Sequence, residues 1–209
     1  MPDATKSDPP PPDRRTVDDP LRLTIDYPDR PLDRVSTLLR IVWIIPIGVV
    51  LASIGGQEVA GSPLLTVPII LMIVFRRKYP RWWFDFGVEL ARFETRIFSY
   101  LALMSDRYPS TDDPQYVHLD VDYPDVERDL NRWLPLVKWL LAIPHYVVLV
   151  LLGVGAVGAV VIAWFSVLFT GRYPRPLFDF VEGVFRWVLR VQAYAFLLVT
   201  DRYPPFRLG

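Results

Sequence analysis

The chain has 209 residues, and its 23 basic and 23 acidic side chains give a formal net charge of zero at pH 7. This balance provides no bulk attraction for nucleic acid. The absence of cysteine excludes disulfides, thiolate metal sites and cysteine nucleophiles. Hydrophobic residues make up 52% of the chain although 22% of its residues are charged. Apolar and charged residues are therefore segregated along the sequence, as in membrane proteins.

The N-terminal segment is rich in proline and charge, with four consecutive prolines at positions 9–12. It contains no apolar stretch of the kind found in signal peptides. Such a composition predicts a disordered tail over residues 1–20, with local polyproline II structure. A binding role for the four prolines is the alternative, and a solvated tail is favoured over it.

The rest of the chain repeats a set of landmarks. The motif Asp26-Tyr27-Pro28 returns as Asp122-Tyr123-Pro124, and Asp106-Arg107-Tyr108-Pro109 returns as Asp201-Arg202-Tyr203-Pro204. Lys78-Tyr79-Pro80-Arg81 likewise returns as Arg172-Tyr173-Pro174-Arg175. The repeat predicts two tandem membrane modules, residues 21–109 and 117–209, joined by a linker at residues 110–116.

Each module opens with a segment in which apolar and polar residues alternate, residues 21–27 and 117–123. A period of two over this length predicts a half-buried strand. Two isolated strands are not stable in water. They could pair with each other, lie on the membrane surface or join the edge of a partner's sheet.

A long apolar stretch follows in each module, at residues 41–75 and 139–169. The first is interrupted by a polar segment at residues 55–63, and the second contains Gly153, Gly155 and Gly158 at its centre. A single helix over residues 139–169 would be about 45 Å long, which exceeds one ordinary membrane span. The glycines therefore predict a turn and each stretch a transmembrane helical hairpin, although close helix contacts at the glycines are an alternative.

Two cations occupy matching places near the start of these stretches. Arg40 and Lys138 each lie six residues before a paired proline, Pro46 or Pro144. A cation so near the end of a span is expected to extend to the membrane interface.

The third segment of each module is predicted as an amphipathic helix. Its charged residues recur at spacings of three and four, which places them on one face. They are Asp85, Glu89, Arg92 and Arg96 in the first module, and Asp179, Glu182, Arg186 and Arg190 in the second. Such a helix either lies in the membrane interface with its charged stripe towards water or spans the membrane with the stripe inside a bundle.

Charge placement distinguishes four membrane spans from six. With four spans all lysines and arginines fall on one side, which predicts that both termini are cytoplasmic. With six spans the stripe arginines would sit near mid-membrane, at about 3 kcal/mol each on insertion scales. The predicted fold is therefore an all-α integral membrane protein of two tandem modules. Each module is a short strand, a transmembrane helical hairpin and an amphipathic interfacial helix.

The second module carries the most specific motifs. They are Phe165-Ser166-Val167-Leu168-Phe169-Thr170-Gly171-Arg172-Tyr173-Pro174-Arg175 and Thr200-Asp201-Arg202-Tyr203-Pro204-Pro205-Phe206. In these motifs the chain resembles the bacterial membrane proteins of domain-of-unknown-function family 4389, and the first module is a more divergent copy. The resemblance implies a multi-pass protein of the bacterial cytoplasmic (inner) membrane. It implies no activity, so no functional residue can be carried over from it.

The sequence contains none of the common catalytic motifs, and no enzyme activity, metal or cofactor is predicted. Its two histidines, His118 and His145, show no metal-ligand spacing. His145 lies in an apolar stretch, where a proton relay is one hypothesis and a hydrogen-bonded neutral ring the favoured one. A lipid-modifying enzyme that uses Asp85 or Asp179 is the weakest alternative.

The Tyr-Pro pairs with nearby cations are the recurring chemistry. Proline ends the helix, tyrosine suits headgroup depth and a cation can meet lipid phosphate. The predicted lipid- or anion-binding residues are Arg77, Lys78, Tyr79, Arg81, Arg172, Tyr173 and Arg175. A purely structural helix stop is the alternative, because it uses the same geometry.

These patterns favour a non-catalytic membrane scaffold or accessory subunit that engages anionic lipid, a partner membrane protein, or both. The expected partners are membrane lipids and either another protein or further copies of the chain, without nucleic acid. The alternative is a component of a small-solute or ion transporter or channel, in which the charged stripes would line a path.

Overall fold

The computed structural model describes residues 20–28, 30–55, 63–110 and 116–209. The first repeat contains β1 (Leu21–Ile25), α1 (Arg34–Gly55), α2 (Pro63–Leu71) with a π-helical extension (Met72–Arg76), and α3 (Arg81–Leu101). The second contains β2 (Val117–Val121), a 3-10 turn (Leu134–Leu136), α4 (Lys138–Leu141), α5 (Ile143–Thr170) and α6 (Arg175–Ala195). The predicted tail up to residue 19, linker residues 111–115 and residues 56–62 of the first predicted hairpin turn lie outside the described residues.

The two strands pair with each other in an antiparallel ladder that is centred on the pair Leu23 and Leu119. These two leucines are equivalent in the repeat. The ladder also pairs Leu21 with Val121 and Ile25 with Val117, so exchanging the repeats maps the ladder onto itself. The two strands are therefore related by an approximate two-fold axis through the centre of the sheet.

The elements form three layers along this axis. The sheet contacts α3 through β2 and α6 through β1. Helix α3 in turn contacts α1, α6 contacts α5, and α1 and α5 lie against each other. Each strand thus packs on the amphipathic helix of the other repeat, and the apolar helices α1 and α5 lie on the side away from the sheet.

Helix α5 is continuous through the glycines that predicted a turn. It runs for 28 residues, from Ile143 to Thr170, and ends where Gly171 adopts the left-handed conformation, with φ of 72°. Each interior glycine costs a helix only about 1 kcal/mol, whereas a turn among apolar side chains would leave several backbone groups unpaired. A β-carbon added at Gly155 would lie 3.4 Å from the Phe180 ring, so this glycine faces α6 at ordinary van der Waals distance.

The predicted tandem hairpin membrane architecture is wrong. In the part of the chain that the structure describes, α5 is the one helix whose length and apolar composition suffice to cross a bilayer. The second predicted hairpin is this single helix. The chain is also not all-α, because β1 and β2 join the repeats in a two-stranded sheet. The strands cover only part of the charged stripes of α3 and α6: Arg92 and Arg186 bind strand carbonyls, whereas Asp85, Glu89 and Asp179 are exposed.

Candidate functional site

A buried cation is paired with an aspartate in each repeat. Arg40 Nη2 lies 2.6 Å from Asp106 Oδ1, and Lys138 Nζ lies 2.7 Å from Asp201 Oδ1. The cations are only 2% and 0% exposed, so the expectation that they extend to a membrane surface is wrong. The aspartates are the first residues of the repeated Asp-Arg-Tyr-Pro motif, which gives that motif a structural role.

Backbone carbonyls and a tyrosine ring complete each cation's surroundings. Arg40 donates to the Ser105 carbonyl at 2.9 Å and lies 4.3 Å from the Tyr100 ring centroid. Lys138 donates to the Thr200 carbonyl at 2.7 Å and lies 5.2 Å from the ring of Tyr194, which is the equivalent of Tyr100. Buried charges persist only when they are paired and hydrogen-bonded in this way.

Burial lowers the pKa of both cations, and the ion pair with the aspartate opposes that change in each case. The two cations differ in whether they can lose a proton. A lysine can release its proton when it is buried without a partner, whereas an arginine remains charged. The stability of the first repeat should therefore depend more on Asp106 than the stability of the second depends on Asp201.

Tyrosines of the two Asp-Tyr-Pro motifs interlock the repeats. The Tyr27 hydroxyl donates to the Tyr173 carbonyl at 2.5 Å, and the Tyr123 hydroxyl donates to the Tyr79 carbonyl. Each tyrosine of one repeat therefore binds the backbone of the Tyr-Pro motif of the other. This reciprocity follows from the two-fold relation of the sheet.

Arginines at the starts of α3 and α6 stack on these tyrosines. The Arg175 guanidinium lies 4.5 Å from the Tyr27 ring centroid, and that of Arg81 lies 4.6 Å from the Tyr123 ring centroid. Both arginines also pair with the aspartate one turn later, at 3.1 Å to Asp179 and 3.2 Å to Asp85. These two predicted lipid-binding cations thus already have partners within the protein.

The other predicted anion-binding residues divide into two groups. Tyr79 and Tyr173 lie in the core at 3% and 2% exposure, and burial raises the pKa of both phenols. Arg77, Lys78 and Arg172 are exposed at the turns before α3 and α6. Of the predicted anion-binding cations, only these three therefore stay accessible to an anion without breaking an ion pair that the structure shows.

The middle of each predicted charged stripe binds the opposite strand. Arg92 Nε donates to the Leu119 carbonyl at 2.8 Å, and Arg186 Nε donates to the Leu23 carbonyl at 3.4 Å. Glu182 pairs with Arg186 at 3.0 Å and accepts the backbone N–H of Ile25 at 3.2 Å. Arg92 makes the corresponding ion pair with Glu89. The stripes therefore hold the sheet in place.

The last residue of each stripe binds a segment that follows its helix. Arg96 donates to the Ser110 carbonyl at 2.9 Å, and Arg190 donates to the Arg207 carbonyl at 3.4 Å. Both arginines are buried. The ends of the two repeats are thus fastened back onto the helices that precede them.

His145 is buried at the contact of α5 and α6. Its Nδ1 accepts a hydrogen bond from the Trp187 indole at 3.1 Å, and its ring stacks on Phe206 at 4.1 Å between centroids. An indole N–H is always a donor, so Nδ1 is unprotonated in this arrangement. These contacts favour the neutral hydrogen-bonded ring over a proton relay.

The described residues contain no group of three or more histidine, aspartate or glutamate side chains that could hold a metal ion. The His118 ring lies 3.1 Å from Asp26 on the exposed face of the sheet, whereas His145 is buried against Trp187 of α6. The chemistry that these residues share is ion pairing, mainly within each repeat, and hydrogen bonding between the repeats.

The repeated contacts coincide with a match to a protein-family model, described as a domain of unknown function (DUF4389), at residues 34–111 and 133–207. The chain belongs to the DUF4389 family. The predicted duplication is thereby confirmed, and both DUF4389 matches begin after the strands, at α1 and at Trp133. No curated protein and no solved structure matches the chain.

The interlocking contacts of this DUF4389 protein were missed by the sequence analysis. A signal for the buried ion pairs was present, because both repeats carry a cation at positions 40 and 138 and an aspartate at positions 106 and 201. The exchange of strands between repeats had no such signal, since it depends on which helix each strand covers.

Proposed function

We propose that the protein is a membrane-associated, non-catalytic scaffold or accessory protein that engages anionic lipid, a partner membrane protein, or both. The exposed apolar face of α5 carries this proposal. Val154 and Phe169 are 70% and 77% exposed, and Val147, Val157 and Ile162 are also more than half exposed. A continuous apolar surface of this kind is typical of membrane or protein contact sites.

The apolar face of α5 is about as long as the hydrocarbon core of a bilayer is thick, so its length alone is compatible with a helix that crosses the membrane or lies along it. From Val147 to Phe169 the helix rises about 33 Å, at 1.5 Å per residue. The hydrocarbon core of a bilayer is about 30 Å thick. Exposed apolar residues of α1, among them Val42 and Ile45, extend the surface sideways.

The accessible cations support an anionic-lipid preference. Arg77 and Lys78 are exposed at the end of the π-helical segment, and Arg172 is exposed just beyond the end of α5. A cation near an anionic membrane surface contributes about 1 kcal/mol, which corresponds to roughly fivefold in affinity. Salt should weaken this contribution by screening.

Vesicle flotation tests both parts of the proposal. The protein should float with phospholipid vesicles, and Arg172→Gln should lower its affinity for anionic vesicles about fivefold while leaving neutral vesicles unaffected. The matched control Arg22→Gln removes one exposed cation from the sheet. It should not change the affinity for either kind of vesicle. Failure to float would refute membrane association, and equal effects of the two variants would refute the lipid preference.

The bacterial inner membrane and cytoplasmic termini remain predictions, which cell fractionation and protease protection can test. The predicted multi-pass arrangement has no support beyond α5, the one helix among the described residues that is long and apolar enough to cross a bilayer. Transport has less support, because Arg92 and Arg186 bind strand carbonyls instead of lining a path.

A further inference from the structure

The polar and apolar surfaces of the protein lie on opposite sides of the three layers. The strands expose Arg22, Asp26, His118, Asp120 and Asp122 on the face away from α3 and α6. The apolar face of α5 is exposed on the other side of α6. The approximate two-fold axis runs from the charged sheet to the apolar helices.

The sheet lies beside the apolar length of α5 and not beyond its end. β1 binds Glu182 and Arg186 of α6. Residues close to these in sequence contact α5: Phe180 approaches Gly155, and Trp187 binds His145. The sheet is therefore level with residues 145–155 of α5, most of which belong to the exposed apolar stretch that begins at Val147.

This position conflicts with an upright α5. If α5 crossed the bilayer, the exposed charges of the sheet would be carried into the hydrocarbon, where ionised side chains are strongly disfavoured. If α5 lay parallel to the membrane, the apolar helices would enter the lipid and the sheet would stay in water. An amphipathic surface of this kind suits the membrane interface.

The two basic turns fit the second orientation. Arg132 donates to the carbonyl of Val74, near Arg77, and Arg34 donates to the carbonyl of Phe169, near Arg172. Arg132 precedes the start of α5 and Phe169 lies at its end, so the turns sit at opposite ends of this helix. With α5 parallel to the membrane, the headgroups of one leaflet can reach both turns.

We propose that α1 and α5 are embedded in one leaflet of a phospholipid bilayer, with α5 parallel to the membrane plane and the sheet facing water. This inference rests on the proposed membrane association and adds the orientation. The partner is a single leaflet, and the basic turns at both ends of α5 contact its headgroups.

Depth-dependent fluorescence quenching tests the orientation. The chain has no cysteine, so single cysteines can be placed at Val147, Val154, Val161 and Phe165, which are spaced along one face of α5. Each variant is labelled with a small fluorophore and bound to vesicles that contain lipids with a nitroxide at a shallow or a deep position. Circular dichroism checks that each labelled variant is folded.

In the parallel orientation all four labels should be quenched with the same depth profile, to within a few ångströms. In an upright orientation the label at position 161 should lie deep, while those at 147 and 165 lie roughly 17 and 11 Å from the bilayer centre if the midpoint of the apolar stretch sits there. Such a depth gradient would overturn the inference and leave membrane association intact.

A label at Thr24, on the exposed face of β1, is the matched control. It should be quenched by aqueous iodide and not by nitroxide lipids. If no label responds to lipid, membrane association itself fails. If the α5 labels resist both quenchers, a protein surface such as a second copy covers this face, and the inference is overturned.

Discussion

The hydroxyl of Tyr27 donates a hydrogen bond to the carbonyl of Tyr173 at 2.5 Å, across 146 positions of sequence. The equivalent bond joins Tyr123 to Tyr79. Together the two bonds make each repeat complete the other, so neither repeat has its full set of contacts alone.

Tyr27→Phe should destabilise the protein by about 1 kcal/mol, because the Tyr173 carbonyl loses its donor while the ring remains. Tyr27→Leu should cost more, since it also removes the stacking with Arg175 and the edge contact with Phe178, whose centroid is 5.0 Å away. Denaturant unfolding in mild detergent measures both changes.

Two controls accompany this prediction. Tyr123→Phe should reproduce the effect by symmetry. Tyr203→Phe removes an exposed hydroxyl that binds Leu141 at 3.2 Å, and water can replace that bond. A loss for Tyr203→Phe as large as that for Tyr27→Phe would contradict the interlocking role.

The strand register can be tested by cross-linking. Thr24 and His118 are directly paired, and neighbouring Cα atoms in an antiparallel ladder lie about 4.5–5.5 Å apart, within disulfide range. Thr24→Cys with His118→Cys should oxidise readily to an intramolecular disulfide, seen as faster migration on a non-reducing gel. Thr24→Cys with Asp120→Cys, two residues out of register, should oxidise much more slowly. Equal rates would argue against the paired sheet.

The buried ion pairs predict unequal effects of two matched substitutions. Asp106→Asn should destabilise by about 3–5 kcal/mol, because Arg40 stays charged without a carboxylate. Asparagine keeps an acceptor for the Asp33 backbone N–H, which Asp106 binds at 2.6 Å. The substitution therefore isolates the loss of charge.

Asp201→Asn should cost less, and its cost should fall as the pH rises. Burial already lowers the pKa of Lys138, and removing Asp201 removes the interaction that raises it. Above the new pKa the lysine is neutral and needs no counter-charge. Unfolding at pH 7 and pH 9 tests this difference, with the exposed pair partner Asp85→Asn as a control that should change little. A pH-independent cost would show that Lys138 stays charged.

Alkaline pH should destabilise the protein through its buried tyrosines. Burial raises the pKa of Tyr116 from 10.0 to about 12. Below pH 10 the phenol is neutral in both states and its contribution is complete. Between pH 10 and 12 it ionises in the unfolded chain first, so its contribution falls as the pH rises.

For Tyr116 this loss amounts to about 1.4 kcal/mol at pH 11. Comparing the wild type with Tyr116→Phe at pH 8 and pH 11 isolates it from other groups that titrate. Between pH 8 and pH 11 the free energy of unfolding of Tyr116→Phe should therefore fall by about 1.4 kcal/mol less than that of the wild type. At pH 8 it should already be about 1 kcal/mol less stable, because Tyr116 donates to the Arg96 carbonyl at 3.0 Å. Parallel pH profiles for the two proteins would contradict the raised pKa.

Local patterns in the sequence were sufficient for some elements. The alternation at residues 21–25 and 117–121 identified both strands, and spacings of three and four identified α3 and α6. Pairing of the strands with each other was one of three alternatives. These features depend on neighbouring residues, which is why periodicity reveals them.

The errors have a common physical cause. Gly153 and Gly158 suggested a turn because glycine favours turns, but helix packing and the apolar surroundings decided otherwise. The charges at positions 40 and 138 suggested a surface, although their counter-charges lie 66 and 63 residues later in sequence. Only the tertiary fold brings such partners together.

The exchanged strands also constrain how the protein is made. β1 leaves the ribosome before α6, so the backbone N–H of Ile25 gains its acceptor, Glu182, only after 157 further residues have been made. Until β2 and α6 are synthesised, β1 presents an open strand edge that can pair with other chains. Assembly of the sheet is therefore a late step of folding, and it carries the loop-closure penalty of distant contacts. Slower translation ahead of α6 would prolong this exposure and so favour aggregation.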